Sequence, residues 1–473
     1  MNSETHFKER LREFFYYPKL SRHSDPVDDP SAFAAFLQQS SARTDPFSLY
    51  IHVPFCDYLC HFCPFFKVLN HRTPEELKDR FFNAMARELR TYAESPYLKG
   101  RKLQWVEFGG GTPSSINAKH LELVLDTVRT SFNLDDAGVI TMEGDALTLA
   151  NRQKIRLIKS LGINRVSFGV QTFHEDLRRK LGLKPKVADL YAAVESIRAA
   201  GIEEFAIDLL YNLPDQTPDV FATDLQRGID LKPDYVDLYS LTLWENTRFK
   251  ERVAAGKAFA HSPTNAQNIA MFKQAQQRLQ DSDYEAVRSY TYATKRPHKF
   301  IDDSKSHIRR RGETVGVGPS SRGYLAYHHY INSSSIETYS ELVEAHGLSI
   351  DLGAYGGVSE DAHRLMVLFP AMLLDLDVDD VPDFERFVPD VEALVDAGML
   401  WRKGTRIGLT NDGMVWAGNI SRRFFSAAQK AHMTESYLYA KRHRVNPYNQ
   451  DSVGLAAVAA TATADPRGQR GAS

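Results

Sequence analysis

Cysteine is the scarcest reactive residue in this chain: 473 residues carry only three, all between positions 56 and 63. An odd number packed so closely excludes a disulfide framework. The chain also lacks a charge excess of either sign, with 58 Lys and Arg against 60 Asp and Glu. It therefore has no basic field to draw it onto nucleic acid or an anionic membrane, and neither partner is expected. No apolar run approaches the roughly 20 residues that cross a bilayer. The start, Met1-Asn2-Ser3-Glu4-Thr5-His6, lacks the basic-then-apolar order of a secretory signal. A cytoplasmic location is the expectation. What is present, 43% hydrophobic and 25% charged residues, is ample for one large core with a smaller second domain.

Residues 1–44 are charged and aromatic with several prolines, and read as an irregular or partly helical lead-in. From Phe47 onward, short β-branched and aromatic runs alternate with stretches of helical period. Phe47–Val53, Leu103–Phe108, Val139–Glu143, Arg165–Gly169, Phe205–Leu209 and Tyr235–Leu241 read as strands. Pro74–Ala93, Ala118–Ser131, Asn151–Leu161, Val187–Ala200 and Pro218–Leu231 read as helices, the first with Thr73 as its cap and Pro74 at its first position. Such alternation predicts a parallel sheet with helical crossovers, an α/β partial (β/α)6 barrel spanning 45–334. Chemistry in such barrels sits at the C-terminal strand ends. A cysteine loop follows the first strand and a glycine loop the second, while Glu143, Gln171 and Asp208 lie at or near the ends of the next three. Asn265–Gln280 (helical), Glu285–Tyr290 (strand-like) and Gly316–Ser321 extend and close this domain. Residues 335–445, with a hairpin-like stretch from Gly398 to Thr410, read as a winged-helix-like α/β domain, and 446–473 as a disordered tail. The acidic stretch Asp375–Asp380 argues against DNA binding there.

Cys56, Cys60 and Cys63 have the spacing C-x3-C-x2-C. Three thiolates on one loop can hold three irons of a [4Fe-4S] cube and leave the fourth open to a non-protein ligand. Zinc is the competing metal, with His52 or His61 as fourth ligand. Three buried thiols acting as small hydrophobes are the reading without a metal.

Several ordered motifs surround the loop: Leu49-Tyr50-Ile51-His52-Val53-Pro54-Phe55-Cys56, Phe108-Gly109-Gly110-Gly111-Thr112-Pro113-Ser114, Val166-Ser167-Phe168-Gly169-Val170-Gln171, Ile207-Asp208-Leu209-Leu210-Tyr211-Asn212-Leu213-Pro214 and Gly316-Val317-Gly318-Pro319-Ser320. Together they resemble the radical S-adenosylmethionine (SAM) superfamily, in its oxygen-independent coproporphyrinogen oxidase-like branch. The resemblance implies a [4Fe-4S] cluster on Cys56, Cys60 and Cys63, one SAM chelating the open iron, and its cleavage to methionine and a 5′-deoxyadenosyl radical. It implies SAM contacts from Tyr50, Phe62, Gly110, Gly111, Thr112, Glu143, Gln171 and Asp208. An external reductant such as flavodoxin or ferredoxin is implied as well. One departure is Leu183, which stands where an arginine is expected, with Lys184 as the candidate replacement.

Within the branch, Phe65 replaces the additional cysteine of the porphyrinogen oxidases, and His307-Ile308-Arg309-Arg310 lacks the Asn, Tyr and Trp of the heme-chaperone motif. The run Cys63-Pro64-Phe65-Phe66 is most like the class C radical SAM methyltransferases. That likeness implies two SAM molecules, the second near Tyr239-Ser240-Leu241-Thr242, and transfer of a SAM-derived methylene to an sp2 carbon of an aromatic or heteroaromatic small molecule. The outcome would be methylation or cyclopropanation, with a partner enzyme finishing the product. The alternatives are a tetrapyrrole-acting enzyme, by porphyrinogen oxidation or anaerobic heme ring opening, and a non-catalytic heme chaperone. Tyr239, Glu245 and Tyr290 are candidates for the base that removes the final proton.

Overall fold

A computed structural model describes residues 7–443 apart from 14, 22–24, 28–30, 245–246, 257–260 and 262–263. β1 (Phe47–Val53), β2 (Lys102–Gly110), β3 (Asn133–Gly144), β4 (Arg165–Gln171), β5 (Glu204–Tyr211) and β6 (Tyr235–Ser240) pair in sequence, all parallel. These are the six strands expected, and their near-continuous apolar runs are what a sheet covered on both faces requires. β7 (Tyr284–Ala286), β8 (Thr291–Thr294), β9 (Thr314–Val317), β10 (Arg322–Leu325), β11 (His328–Asn332) and β12 (Ile350–Tyr355) extend it to twelve strands, in the order β12-β11-β10-β9-β1-β2-β3-β4-β5-β6-β8-β7. Among the described residues the two edges do not pair, so the barrel is partial.

Three features differ from expectation. β9 is a seventh parallel strand, seated on β1, and the sheet runs on to Tyr355, past the boundary expected at 334. Glu285–Tyr290 is not one strand: the chain turns after Ala286, where Val287 and Arg288 both donate to the Thr291 carbonyl and Ser289 to that of Ala371. The hydroxyl of Thr73 bonds the Leu69 carbonyl at 3.0 Å instead of capping, so the first crossover helix, α1, begins after Pro74.

α1 (Glu75–Glu94), α2 (Ala118–Ser131), α3 (Arg152–Ser160), α4 (Glu175–Leu181), α5 (Val187–Ala199) and α6 (Pro218–Asp230) cover the outer face. Several are set by side-chain caps: Asn117 accepts from His120 N–H, Asn151 from Gln153 and Lys154, and Thr217 from Val220. Each sends one apolar stripe to the sheet; α1 buries Phe81, Phe82, Met85, Leu89 and Tyr92. α7 (Asn265–Gln280) and α8 (Lys299–Arg309) lead to the later strands.

The described part of the lead-in is a strap. The Arg10 guanidinium bonds the Tyr211 hydroxyl, Asn268 at 2.8 Å and the Val415 carbonyl at 2.7 Å. Leu11 N–H donates to Asn419, and Tyr17 packs on Phe425 while its hydroxyl donates to Glu360. Beyond α9 (Ile336–His346) and α10 (Gly357–Leu368), a small antiparallel sheet forms from β13 (Asp375–Asp377), β14 (Leu400–Lys403) and β15 (Arg406–Leu409), with α11 (Val388–Asp396) before its hairpin. Gly404 takes the positive φ, +60°, that this two-residue turn needs. The acids expected to repel DNA are partly spent in pairs: Asp375 binds Arg309 and Arg406. The expected tail, 446–473, lies outside the described residues. Among the described residues no helix is long and apolar enough to cross a membrane.

Glu88 ties the two halves of the sheet together. Fully buried on α1, it accepts from Gly318 N–H at 3.0 Å, Asn332 Nδ2 at 2.8 Å and the Tyr339 hydroxyl at 2.6 Å. Glu88→Leu strands three buried donors at about 1–3 kcal/mol each. Chemical denaturation should show a loss of at least about 3 kcal/mol; a variant within about 0.5 kcal/mol of the parent would show the network to be dispensable.

Candidate functional site

β1 delivers the cysteine loop. After Val53 the chain passes Pro54, and Phe55–Cys56 pairs in parallel with Val68–Leu69, so residues 57–67 close a compact loop on the strand end. Lys67 Nζ donates to the carbonyls of Cys63 and Phe65 at 2.8 and 3.0 Å. Tyr58 donates to Asp145 just past β3, and His61 N–H donates to the Leu181 carbonyl at the end of α4. The loop is thus pinned to two neighbouring crossovers with Cys56 buried and Cys60 and Cys63 partly open.

Burial pushes the Cys56 thiol up to about 12, opposed by the Thr112 hydroxyl, which donates to its Sγ at 3.4 Å. Burial, then the sulfurs of Cys63 and Cys56, drives the Cys60 thiol well above its ordinary value. Cys56 and Cys60, so placed, ionise when a metal supplies the compensating charge. Zinc would need a histidine as well. Yet His52 has the Phe66 carbonyl 3.1 Å from Nε2 and the Tyr50 hydroxyl 3.3 Å from Nδ1. His61 has its Nδ1 3.0 Å from the Lys180 carbonyl and its ring against Gly182. Three sulfurs without a histidine fit a cluster with one open iron.

The glycine run makes the floor beneath this loop. Gly111 N–H donates to the Val53 carbonyl and Thr112 N–H to that of Phe55, both at 2.8 Å. A Cβ on Gly111 would stand 2.7 Å from the Pro54 carbonyl carbon, and one on Gly110, whose φ is +111°, 2.7 Å from His52 Nε2. Only glycine allows β2 to lie this close.

Below lies a charged interior. Tyr50 pairs laterally with Glu107, Glu107 with Thr141 and Thr141 with Arg165. Farther along the strands Gly169 pairs with Asp208 and Asp208 with Asp237. Glu143 accepts from Gly110 N–H at 3.2 Å, and burial, then the charge of Glu107, pushes its carboxyl up to about 7. Asp208 is driven well above the carboxylate range by burial, then by Asp237 and Glu143. Burial likewise raises Glu107 and Asp237, opposed by Arg165 and Arg288. Four acids face two guanidiniums, a surplus that favours a cationic ligand. Two buried acceptors complete the fit: Gln171 Oε1 and Asn212 Oδ1 lack a hydrogen-bond donor among the described residues, each on a backbone at positive φ, 66° and 60°. An ammonium, ribose hydroxyls and an amino group, all of which SAM carries, would satisfy this surface.

The structure thus brings Tyr50, Gly110, Gly111, Thr112 and Glu143 together around the cysteine loop, with Asp208 joined to them through its charge coupling to Glu143. Gln171 closes β4, and Phe62 packs in an apolar cluster with Leu183, Tyr239, Leu241 and Leu243. Leu183 is spent in that cluster and Lys184 is solvent-exposed. Burial pushes Tyr290 up to about 12 and Tyr239 well above its ordinary value, which leaves both phenols protonated at neutral pH; Glu245 lies outside the described residues. Sequence reasoning passed over Glu107, Asp237, Arg165, Arg288 and Asn212. The signal was available for the acids, because each is the single charge inside an apolar strand segment, Trp105-Val106-Glu107-Phe108 and Tyr235-Val236-Asp237-Leu238.

Residues 50–227 match the family model of the radical SAM superfamily. The heme chaperone HemW of Lactococcus lactis subsp. lactis is 27% identical over 392 residues, 80% of this chain and 97% of that protein. Anaerobilin synthase of Escherichia coli O157:H7 is 26% identical over 374 residues, 79% of this chain and 82% of that protein. Among solved structures, the coproporphyrinogen III oxidase of Escherichia coli superimposes with a TM-score of 0.74 at 20% identity, covering 88% of this chain and 100% of that one, and so shares the fold.

Two substitutions test the site. Cys60→Ala, reconstituted with iron and sulfide, should lose the visible thiolate-to-iron absorbance and all SAM cleavage; retained cleavage would remove Cys60 from the ligand set. Glu143 holds a proton in the folded chain between its ordinary value of 4.5 and about 7 that the unfolded chain has released. It therefore withdraws stability as pH rises through that window. Cluster-free Glu143→Gln should melt a few degrees above the parent near pH 8 and close to it near pH 5. An equal drop at both pH values would show that the carboxylate is not strained.

Proposed function

We propose, with the radical SAM domain at residues 50–227 as the premise, that this chain is a radical SAM enzyme whose substrate is a tetrapyrrole. One observation carries the substrate class: HemW and anaerobilin synthase, both named for tetrapyrroles, align over about four-fifths of the chain, through both the barrel and the sequence beyond it. When bound, a [4Fe-4S] cluster with its fourth iron open to SAM supplies one-electron cleavage of SAM and a 5′-deoxyadenosyl radical.

The chain's own residues do the rest. Cys56, Cys60 and Cys63 hold the cluster, and the Thr112 hydroxyl offers a hydrogen bond to one sulfur. Glu143, on Gly110 N–H, presents a carboxylate to the SAM ammonium, while Gln171 and Asn212 offer acceptors to its hydroxyls and adenine amine. Asp208 and Asp237, whose buried carboxyls are raised above their ordinary range, would ionise more readily beside a sulfonium cation, which favours SAM over neutral competitors. Phe62, Leu241 and Leu243 form an apolar wall that keeps water from the radical. The electron comes from an external carrier of the flavodoxin or ferredoxin type.

The non-catalytic reading is disfavoured at its own motif. His307, the one residue of the heme-chaperone motif retained, is buried edge-on against Trp105 at 4.7 Å, with Nε2 3.4 Å from the Thr314 hydroxyl. A second catalytic reading, class C methylene transfer from a second SAM, is supported by Phe65, which occupies the position of the porphyrinogen oxidases' extra cysteine and is 53% exposed. Methylene transfer to a tetrapyrrole satisfies both lines.

Turnover of the reconstituted enzyme with methyl-deuterated SAM separates these readings, heme and a porphyrinogen being supplied in parallel. Consumption of either tetrapyrrole is expected. Deuterated 5′-deoxyadenosine with S-adenosylhomocysteine marks methylene transfer, and unlabelled 5′-deoxyadenosine marks hydrogen abstraction from the tetrapyrrole. SAM cleavage that leaves both tetrapyrroles intact while a non-tetrapyrrole aromatic is methylated would overturn the substrate assignment.

A further inference from the structure

We infer that Arg178, Asp224 and Gln216 are positioning residues, a buried network that holds the amides of Gln171 and Asn212 in place for the nucleoside end of SAM. The inference rests on the reading of the chamber as the SAM site. Gln171 ends β4 and Asn212 follows β5, on adjacent strands. Both stand in the left-handed region, at φ +66° and +60°, where a residue with a side chain is strained. Both also keep a buried oxygen, Gln171 Oε1 and Asn212 Oδ1, without a hydrogen-bond donor among the described residues. Two neighbouring strand ends thus share a costly backbone and an unspent acceptor. A conformation of this kind persists only where its surroundings over-determine it.

The surroundings are one network of side chains. At β4 the register slips, so that Gly169 pairs with Asp208 but Gln171 with Leu209. Arg178 of α4 spans this bulge: its Nη1 donates to the carbonyls of Val170 and Thr172, one on each side of Gln171, both at 2.7 Å. Its Nε and Nη2 donate to the Pro185 carbonyl at 3.1 and 2.7 Å. Asp224 of α6 holds the residues that follow, accepting from the Thr172 hydroxyl at 2.6 Å and from Phe173 N–H at 2.7 Å. The oxygen that Thr172 bonds also accepts from Gln216 Nε2 at 3.4 Å. Gln216 in turn brackets Asn212, since its Nε2 donates to the Leu210 carbonyl at 3.3 Å and its Oε1 accepts from Leu213 N–H at 3.1 Å. One carboxylate therefore joins the turn after β4 to the turn after β5. A Cβ on Gly169 would collide with Gln171 Nε2, so the amide folds back over Gly169, the lateral partner of Asp208.

Packing alone does not call for these groups. Arg178 is 1% exposed and Asp224 2%, and the four Arg178 bonds all go to main-chain carbonyls. A buried cation and a buried anion cost more than an apolar filling of the same space. What a fully bonded polar network supplies in return is a single geometry. Fixing the carbonyls before and after Gln171 fixes the bulge that carries it, and the Gln216 bracket does the same for Asn212. Acceptors held in this way need no reorganisation when hydroxyls and an amino group arrive.

The test uses the full-length reconstituted enzyme and follows binding, by equilibrium dialysis with SAM and separately with 5′-deoxyadenosine, under non-reducing conditions. Asp224→Asn keeps the size of the side chain but turns a donor toward Gln216, and Arg178→Lys reaches fewer of the three carbonyls. Each should bind both probes about tenfold more weakly, the worth of roughly one well-placed hydrogen bond. Iron content and the SAM-free EPR spectrum of the reduced cluster should stay at those of the parent. The decisive comparison repeats both substitutions in a Gln171→Gly/Asn212→Gly background, where glycine accepts the positive φ and the amides are gone. There each should change affinity by less than about twofold, because the groups it positions are absent. A tenfold loss that persists in the glycine background, or single variants that bind both probes like the parent, would overturn the network while leaving the SAM site in place. A parent enzyme that carries its cluster yet takes up neither probe would sink the SAM reading of the chamber, and the network with it.

Discussion

Glu107, Glu143, Asp208 and Asp237 project from four strands of one sheet into the same interior, and two guanidiniums, Arg165 and Arg288, stand among them. Charges of one sign at this depth repel, and burial penalises every one of them. The surrounding structure is built to withstand that repulsion. The sheet is backed on its outer face by helices, Asp237 is bonded by the Thr291 hydroxyl from the antiparallel edge, and Glu143 is held by a backbone N–H of the glycine strip. Such a chamber is one that a cation with several hydrogen-bond donors can stabilise by binding, and this is the thermodynamic support for the proposed SAM site.

The same constraint orders the rim. The cysteine loop has no regular structure beyond its two-residue bridge, so its position depends on bonds to its neighbours: Tyr58 to Asp145, His61 to the end of α4, Lys67 to its own loop carbonyls. Each of those anchors lies at the C-terminal end of a strand or on the crossover that follows it. A parallel sheet gathers those ends on one side, which is why motifs scattered over 160 residues of sequence become neighbours.

The alternating apolar periods made the six parallel strands legible, because strands covered on both faces must be continuously apolar and their crossovers must be amphipathic. The cysteine loop and glycine strip were legible for a different reason: few other arrangements need three thiols in eight residues or three successive glycines. β9 was harder to see, since Thr314–Val317 is only four residues long and takes its strand character from pairing with β1. The turn at Val287–Tyr290 was misread because Tyr and Val favour strands, while the actual conformation is set by hydrogen bonds to Thr291 and the distant Ala371.

The strap is the part that sequence reading treated least well, and its case explains how far motif-based reading reaches. Residues 7–21 have no period, and the described ones among them form no long element, so nothing in their order announces a role. Their positions are set by contacts made hundreds of residues away: Arg10 with Tyr211, Asn268 and Val415, Leu11 with Asn419, Tyr17 with Phe425. The strap is therefore legible only in three dimensions: one guanidinium, Arg10, joins β5, α7 and the sequence beyond the barrel, and no local pattern in residues 7–21 contains those partners.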